Sequence, residues 1–176
     1  MSKRLARLGA IAYAVHLGEQ EGISTGHTLL QKLIYFLQRA KGVDLGYRYK
    51  MYHYGPYCGD VWADLNYLED VKAVAIEANA SGFGYRIYPD EDIHAVLHFV
   101  DEETKGKVSE LLQFLGNRSV RELECLATTH YVYQELRTEQ EPDLQMIVER
   151  VRALKPHLTK EEVQNAIESL KEHNLL

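Results

Sequence analysis

The sequence predicts an α+β fold that is mainly helical, with a winged-helix-like N-terminal core, a small antiparallel sheet and additional C-terminal helices. Three observations support this prediction. Apolar residues recur at helical spacing along most of the chain, one short segment alternates as a strand does, and a second segment has the composition of a hairpin. The first half therefore runs helix, helix, strand, helix and hairpin, an order compatible with a winged helix that carries an extra strand.

The composition is that of a globular, cytoplasmic protein. Of the 176 residues, 45% are hydrophobic and 26% are charged, so the chain can bury a core. There is no long uncharged apolar run of the kind that spans a membrane. Cys58 and Cys125 lie far apart, which suggests a reducing compartment rather than a disulfide scaffold. We expect a domain over residues 1–100 and a helical part over residues 101–176 that packs on it, so that the two form one structural domain.

Two helices open the predicted fold. The first covers roughly residues 3–19, where apolar side chains recur three or four positions apart, and Gly22 breaks it. The second lies within residues 24–42 and ends near Gly42. Its leucines and isoleucine form a wide apolar face, which is typical of a helix packed on a core.

A tyrosine-rich strand is predicted next, in the segment YRYKMYHY over residues 47–54. Alternation would divide its side chains between two faces. The two sets are Tyr47, Tyr49, Met51 and His53 on one face and Arg48, Lys50, Tyr52 and Tyr54 on the other. Gly55 and Pro56 are expected to end the strand. One tyrosine set would then pack between helices, and the other would be free to contact a partner.

A third helix and a hairpin complete the first half. The helix covers residues 58–71 and carries a stripe of valine and leucine. Residues 73–90 contain two short apolar runs joined by a loop of asparagine, serine and glycine. Such a loop between two runs of this kind is typical of a β-hairpin.

The second half is predicted to be helical. A first helix ends at Gly116, and the segment SVRE forms a capping box that opens the next helix at Ser119. Pro142 marks the start of a third helix, because proline is tolerated in a first helical turn. The segment TKEE forms a second capping box at Thr159. The linker-like stretch of this half covers residues 137–143.

Two histidines are the candidates for metal binding. His94 and His98 are four residues apart and would share one face of a helix, with Asp90 or Asp92 as a third ligand. That spacing suits zinc or nickel. The segment has neither the glutamate of an HExxH motif nor a cysteine partner, so the prediction is no metal and no cofactor. A metal-dependent enzyme using His94 and His98 stays as an alternative.

Other enzyme classes find no support in the sequence. Cys125 and His130 are five residues apart on a predicted helix, so their side chains diverge. The glycines form neither a GxGxxG pattern nor a P-loop. The sequence therefore predicts a protein that is not an enzyme.

The charge pattern argues against DNA binding. In a winged helix the third helix would enter the major groove. Here it carries Asp60, Asp64, Glu69 and Asp70, with no basic residue before Lys72. The net charge of −6 adds to the repulsion from phosphates. A winged-helix DNA-binding regulator, acting as a homodimer, is kept as a second alternative.

Two motifs carry a family resemblance. The first motif is LLQKLIYFLQRA, and the second, after a spacer, is YHYGPYCGDVWADLNYL, which precedes the predicted hairpin. This arrangement resembles the Panacea domain, also called the antitoxin SocA-like domain, and its YwgA-like relatives. The resemblance covers roughly residues 5–90, and SVRELECLATTHYVYQEL also looks like the segment that follows the domain. The family motif falls on Gln31, Lys32, Leu33, Tyr35, Tyr54, Gly55, Pro56 and Tyr57.

The resemblance implies protein binding. Panacea-type proteins act as antitoxins that neutralise toxins by direct contact, and one kind is an adaptor that delivers its toxin to a protease. We therefore expect a protein-interaction module, antitoxin-like or proteolytic-adaptor-like, whose partner is a toxin or a protease substrate. The expected partner-binding residues are Tyr52, Tyr54, Tyr57, Asp60 and Asp64. A basic partner would complement the carboxylates.

Overall fold

A computed structural model describes residues 2–137 and 141–176 of the chain. The described residues form eight helices and four short strands, which confirms the mainly helical α+β class. In chain order the elements are α1 (Lys3–Glu21), α2 (His27–Arg39), β1 (Lys50–Tyr52), β2 (Gly55–Tyr57), α3 (Gly59–Asp70), β3 (Val74–Ala78), β4 (Tyr85–Pro89), α4 (His94–Leu97), α5 (Glu102–Leu115), α6 (Val120–Leu136), α7 (Leu144–Leu154) and α8 (Lys160–Glu172).

The chain divides into two compact units. The first comprises the chain up to Lys50 together with Tyr57–Asn117, and the second comprises Met51–Pro56 together with Arg118–Leu176. In the first unit α5 packs against both α1 and α2. This unit therefore extends beyond residue 100, where the sequence analysis placed the end of the N-terminal domain.

Helix α2 lies at the centre of the first unit. Every residue from Leu29 to Leu37 is buried, including the two polar residues Gln31 and Lys32. The helix is too apolar over this stretch to face water on any side, so α1 and α5 cover it. The prediction of a wide apolar face on this helix is confirmed.

The tyrosine-rich segment differs from its prediction. Residues 47–54 do not form one strand, because β1 and β2 make a two-stranded hairpin around a turn at His53 and Tyr54. Gly55 and Pro56, expected to end the strand, lie inside β2 and are buried. Gly55 has a φ of +88°, a conformation that glycine adopts without a steric cost. Both strands of a two-stranded sheet are edges, which is where proline is tolerated.

The predicted division of the tyrosines into two sets is largely confirmed. Tyr47 and the hydroxyl of Tyr49 are buried, whereas Tyr52 and Tyr54 are exposed. His53 was predicted to share a face with Tyr47 and Tyr49 but is exposed, because it lies in the turn rather than in a strand.

The second hairpin forms where the sequence predicted it. β3 and β4 pair antiparallel, with Ile76 opposite Ile87. The start of α2 is joined to β4, because the Ile87 N–H donates to the carbonyl of Thr25 at 2.8 Å. The Thr25 hydroxyl donates to the carbonyl of Ile87 at 2.6 Å. A Cβ at Gly26 would approach the carbonyl oxygen of Tyr85 to 2.9 Å, so this close passage requires glycine.

The second unit contains α6, α7 and α8, which pack pairwise against one another. The capping boxes predicted at Ser119 and Thr159 are both present. Pro142 is not the first helical residue, since Asp143 is the N-cap of α7 and its carboxylate accepts from the N–H of Gln145. Of the predicted linker, residues 138–140 lie outside the described residues.

Candidate functional site

The residues expected to bind a partner are divided between the two units. Tyr52 and Tyr54 belong to the second unit, whereas Tyr57, Asp60 and Asp64 belong to the first. Each group therefore forms its own candidate surface, and each is built by the elements of its own unit.

The turn between β1 and β2 presents two tyrosines to solvent. The side chains of Tyr52 and Tyr54 are 57% and 58% exposed. The ring of Tyr52 lies beside that of His53, with 4.3 Å between the ring centres. Three consecutive aromatic side chains thus occupy one tight turn.

A buried lysine holds the backbone of this turn. The ammonium of Lys155 donates to the carbonyl of Tyr52 at 2.7 Å and to that of His53 at 2.5 Å. The same ammonium lies 3.1 Å from Oε1 of Glu124, whose other carboxylate oxygen is 3.0 Å from Nε2 of His157. Lys155 and Glu124 are only 7% and 4% exposed. A buried ammonium is tolerated only with such partners, so the turn and the ion pair stabilise one another.

Sequence analysis did not identify Lys155 or Glu124. Lys155 is the C-cap of α7, and Glu124 lies on α6. One signal was available, because Glu124 stands between Leu123 and Cys125 on a stretch of α6 that is otherwise apolar. A carboxylate in that position requires a partner, although the sequence does not say which one.

The first unit carries a second aromatic surface, which we call the aromatic row. It consists of Tyr57, His27, Trp62 and Tyr85, in that spatial order. The distances between successive ring centres are 5.9, 4.4 and 5.2 Å. Tyr85 is exposed and the other three are half-buried, so the row forms part of the surface. Of these four residues, only Tyr57 was predicted from the sequence.

Four elements converge to build the aromatic row. His27 is the first residue of α2, and Gln31 lies one turn later. The Gln31 side-chain amide donates to the carbonyl of Cys58 at 2.9 Å and accepts from its N–H at 3.1 Å. This pair of bonds fixes the short segment that carries Tyr57 at the end of β2 and leads to Trp62 on α3. The junction of Thr25 and Gly26 with β4 brings Tyr85 to the other end.

The aromatic row is uncharged at neutral pH. Burial, and next the nearby charge of Lys32, lower the pKa of His27 to about 4. No hydrogen bond within the described residues uses the indole N–H of Trp62 or the hydroxyl of Tyr85. Asp60, in the first turn of α3, is exposed. The row therefore offers partly exposed aromatic rings and two hydrogen-bond donors.

Asp64 is not at the surface, contrary to the prediction. It is 7% exposed and accepts a hydrogen bond of 2.6 Å from the hydroxyl of Tyr47. The guanidinium of Arg7 lies 4.0 Å from the same carboxylate and 4.3 Å from the centre of the Tyr47 ring. Burial, and next the bond to Asp64, raise the pKa of Tyr47 above its usual range. Asp64 thus anchors a tyrosine within the first unit.

Five residues of the family motif, Gln31, Lys32, Tyr35, Gly55 and Pro56, are buried like the core residue Leu33, whereas Tyr54 is exposed and Tyr57 is half-buried. Gln31 binds the backbone of Cys58, and Gln38, two turns further along α2, binds that of Tyr47 in the same manner. Tyr35 packs its ring edge-on to Tyr49, with 5.1 Å between ring centres. All five predicted motif residues therefore have a place in the packing of the chain.

The candidate metal ligands do not form a cluster. His94 and His98 are both exposed, and α4 is only four residues long, so His98 is its C-cap. The ring nearest to His94 is that of His16 on α1, at 5.3 Å between centres. Across residues 2–137 and 141–176, neither Asp90, Asp92 nor any other potential ligand forms a group of three or more that could hold a metal ion.

Cys125 lacks the properties of a nucleophile. Its thiol lies in the second unit, where burial raises its pKa to about 11. At neutral pH the thiol is therefore protonated, and the thiolate is the reactive form of cysteine.

Comparisons with known proteins do not assign the chain to a family. No protein-family model matches the chain, and no curated protein matches its sequence. The resemblance to the Panacea family stays a prediction. Within the part of the chain that the structure describes, no helix has both the length and the apolar character needed to cross a bilayer.

Proposed function

We propose that this chain is a protein-interaction module that binds a protein partner without catalysing a reaction. The observation that carries the proposal is the turn at Tyr52, His53 and Tyr54. Its backbone is held by buried Lys155, while both tyrosine side chains are more than half exposed.

The physical argument concerns the cost of binding. Tyrosine offers a large contact area and only two side-chain torsions, which is why it is frequent in binding surfaces. A backbone that is already fixed in the free protein does not have to be ordered when a partner docks. A pinned turn with two exposed tyrosines thus favours association at a low entropic cost.

The resemblance to Panacea-type proteins suggests two forms of this function. In the antitoxin-like form, the chain neutralises a toxic partner by covering it. In the adaptor-like form, the chain delivers its partner to a protease. Expression of the partner with and without the chain separates the two forms by the half-life of the partner. An adaptor shortens this half-life, whereas an antitoxin that covers its partner restores growth without shortening it.

The experiment is capture of partners by the tagged chain from its native cells at moderate salt, followed by mass spectrometry. We expect one dominant protein that is lost with Tyr52→Ala and Tyr54→Ala combined. Tyr67→Ala is the matched control, because Tyr67 is a surface tyrosine on α3, 41% exposed. Circular dichroism establishes that all variants are folded.

Equal recovery of the partner by the double variant and by the control would contradict the proposal. Recovery of nucleic acid in place of a protein would support a DNA-binding regulator, and recovery of stoichiometric metal would support a metal-dependent enzyme.

A further inference from the structure

We propose that His16 and His94 together hold a divalent transition metal ion, with zinc as the ion that their spacing fits best. Both histidines belong to the first unit, one on α1 and the other at the start of α4. The inference goes beyond the proposed function, because it concerns a different surface and a different class of ligand. It also differs from the alternative that the sequence offered, which paired His94 with His98.

The spacing of the two rings fits one shared ion. Their centres lie 5.3 Å apart. A zinc ion lies about 2.0–2.1 Å from each ligating nitrogen and hence about 3.2 Å from each ring centre, so two rings on one tetrahedral ion have centres about 5.2 Å apart. The planes of the two rings are inclined by 74°. Parallel, stacked rings would keep their nitrogen lone pairs in separate planes, whereas inclined rings can direct one nitrogen each to a common point.

The ring nitrogens of this pair have no competing partner. No hydrogen bond or ion pair within the described residues engages either His16 or His94. Burial, and next the charge of His94, lower the pKa of His16, which favours the neutral imidazole at neutral pH. Neutral imidazole is the form that binds metals. Its nitrogen suits zinc, copper and nickel, whereas magnesium and calcium require oxygen ligands.

The backbones that carry the two histidines are already packed together. α1 packs against α4, and Ile93, next to His94, is buried. A Cβ at Gly9, two turns before His16 on the same face of α1, would lie 2.7 Å from the carbonyl carbon of Phe99. Because the two elements are held this closely, binding of an ion requires at most rotation of two side chains, and such preorganisation favours binding.

The proposed site has two protein ligands. Across residues 2–137 and 141–176 no third histidine, cysteine or carboxylate joins the pair. Water molecules therefore complete the tetrahedron, as they complete zinc sites that have an open position. An ion held by two side chains dissociates more readily than one held by four, so the test adds metal to the purified protein.

The test follows the histidine side chains by nuclear magnetic resonance while zinc is added to the full-length protein, stripped beforehand with a chelator. We expect the ring-nitrogen signals of His16 and His94 to shift together and to saturate at one ion per chain. The remaining histidines of the chain serve as internal controls and should not shift. Magnesium at the same concentration should shift no histidine, because it takes oxygen ligands.

Variants then locate the site. His16→Gln and His94→Gln should each weaken zinc binding about tenfold or more, because even the loss of groups that only support a metal ligand costs about 10–100-fold. His98→Gln is the matched control, since His98 is an exposed histidine at the other end of α4 and should leave the affinity unchanged. Zinc should raise the melting temperature of the native protein and of this control, but not that of the other two variants.

Several results would overturn the inference. These are the absence of a saturable shift, equal shifts at all exposed histidines, or full affinity retained by the folded His16→Gln variant. An equal loss of affinity in His98→Gln and His94→Gln would also overturn it, in favour of the pair that the sequence suggested. The proposed function is tested separately by Tyr52 and Tyr54 in partner capture, so the failure of one leaves the other standing.

Discussion

At the scale of single residues, the decisive side chain is Lys155. Removing an ammonium from water costs several kcal/mol unless partners replace its hydration. Lys155 has these partners in two backbone carbonyls of the tyrosine turn and in the carboxylate of Glu124. A lysine ordinarily lies at the surface, but Lys155 is buried and its ammonium fixes the backbone of the turn. The backbone is therefore held in place while the side chains of Tyr52 and Tyr54 remain exposed.

Replacing Lys155 tests this tie. Lys155→Met should lower the free energy of unfolding by about 3–5 kcal/mol, because the buried carboxylate of Glu124 loses its ammonium partner and keeps only the His157 ring. The double variant Lys155→Met, Glu124→Leu should recover part of the loss. Urea unfolding measures the stabilities, and hydrogen exchange should become faster at the amides of residues 52–55.

Lys171→Met is the control for the Lys155 variant, since Lys171 is exposed in the last turn of α8. It should change the stability by less than about 0.5 kcal/mol. A Lys155→Met variant that behaved like this control would show that the buried ion pair contributes little.

His27 makes the stability depend on pH. Its folded pKa of about 4 lies below the ordinary value of 6.5, because burial disfavours the charged ring. As the pH falls from 6.5 towards 4, the unfolded chain binds a proton at this site that the folded chain does not, so stability decreases over this window. The contribution is complete above pH 6.5.

The variant His27→Gln, which does not titrate, isolates this contribution. We expect the difference in unfolding free energy between the native protein and the variant to be constant above pH 7. Between pH 6.5 and pH 4 the native protein should lose more stability than the variant. Urea unfolding at several pH values measures the difference, and parallel curves throughout would contradict the assignment.

At the scale of elements, α2 organises the first unit through two glutamines. Gln31 and Gln38 are two helical turns apart and therefore share one face of the helix. Each binds both the N–H and the carbonyl of one residue in an extended segment, Cys58 and Tyr47 respectively. The two glutamines thus fix two extended segments of the first unit, one at Tyr47 and the other at Cys58.

Substitution of Gln31 tests this role. Gln31→Leu keeps the volume but leaves the buried N–H of Cys58 without its partner, while the Cys58 carbonyl keeps only the bond from the Val61 N–H at 3.2 Å. The loss should cost about 1–3 kcal/mol of stability. The emission of Trp62 should shift as well, because Trp62 lies four residues after Cys58. Gln113→Leu on the exposed side of α5 is the control. A stability equal to that of the control would contradict the role.

At the scale of the whole molecule, charge decides the class of partner. The net charge is −6, and the exposed face of α3 carries Asp60, Glu69 and Asp70. The helix that would enter a DNA groove in a winged helix therefore repels phosphates.

We expect no measurable binding to a fluorescently labelled DNA duplex between about 50 and 200 mM salt, the range over which phosphate contacts normally weaken. Fluorescence anisotropy measures the binding. An affinity whose logarithm falls linearly with the logarithm of salt concentration would contradict this expectation and support the DNA-binding alternative.

Local sequence was sufficient to predict most of the elements. The helices, the capping boxes at Ser119 and Thr159 and the β3–β4 hairpin follow from periodicity and turn chemistry within a few residues. Strand alternation also separated Tyr47 and Tyr49 from Tyr52 and Tyr54, although it did not say which pair is buried. These features depend on neighbours in sequence, which is why the sequence by itself determined them.

Only the tertiary structure decided the roles of the charged and polar residues. Lys155 meets the carbonyl of Tyr52 across 103 positions, and Gln31 meets Cys58 across 27. Asp64 was expected at the surface because a carboxylate on a helix usually faces water, yet Tyr47 and Arg7 make its burial possible. Whether a polar group is buried depends on partners that the fold supplies from distant parts of the chain, and local patterns do not contain that information.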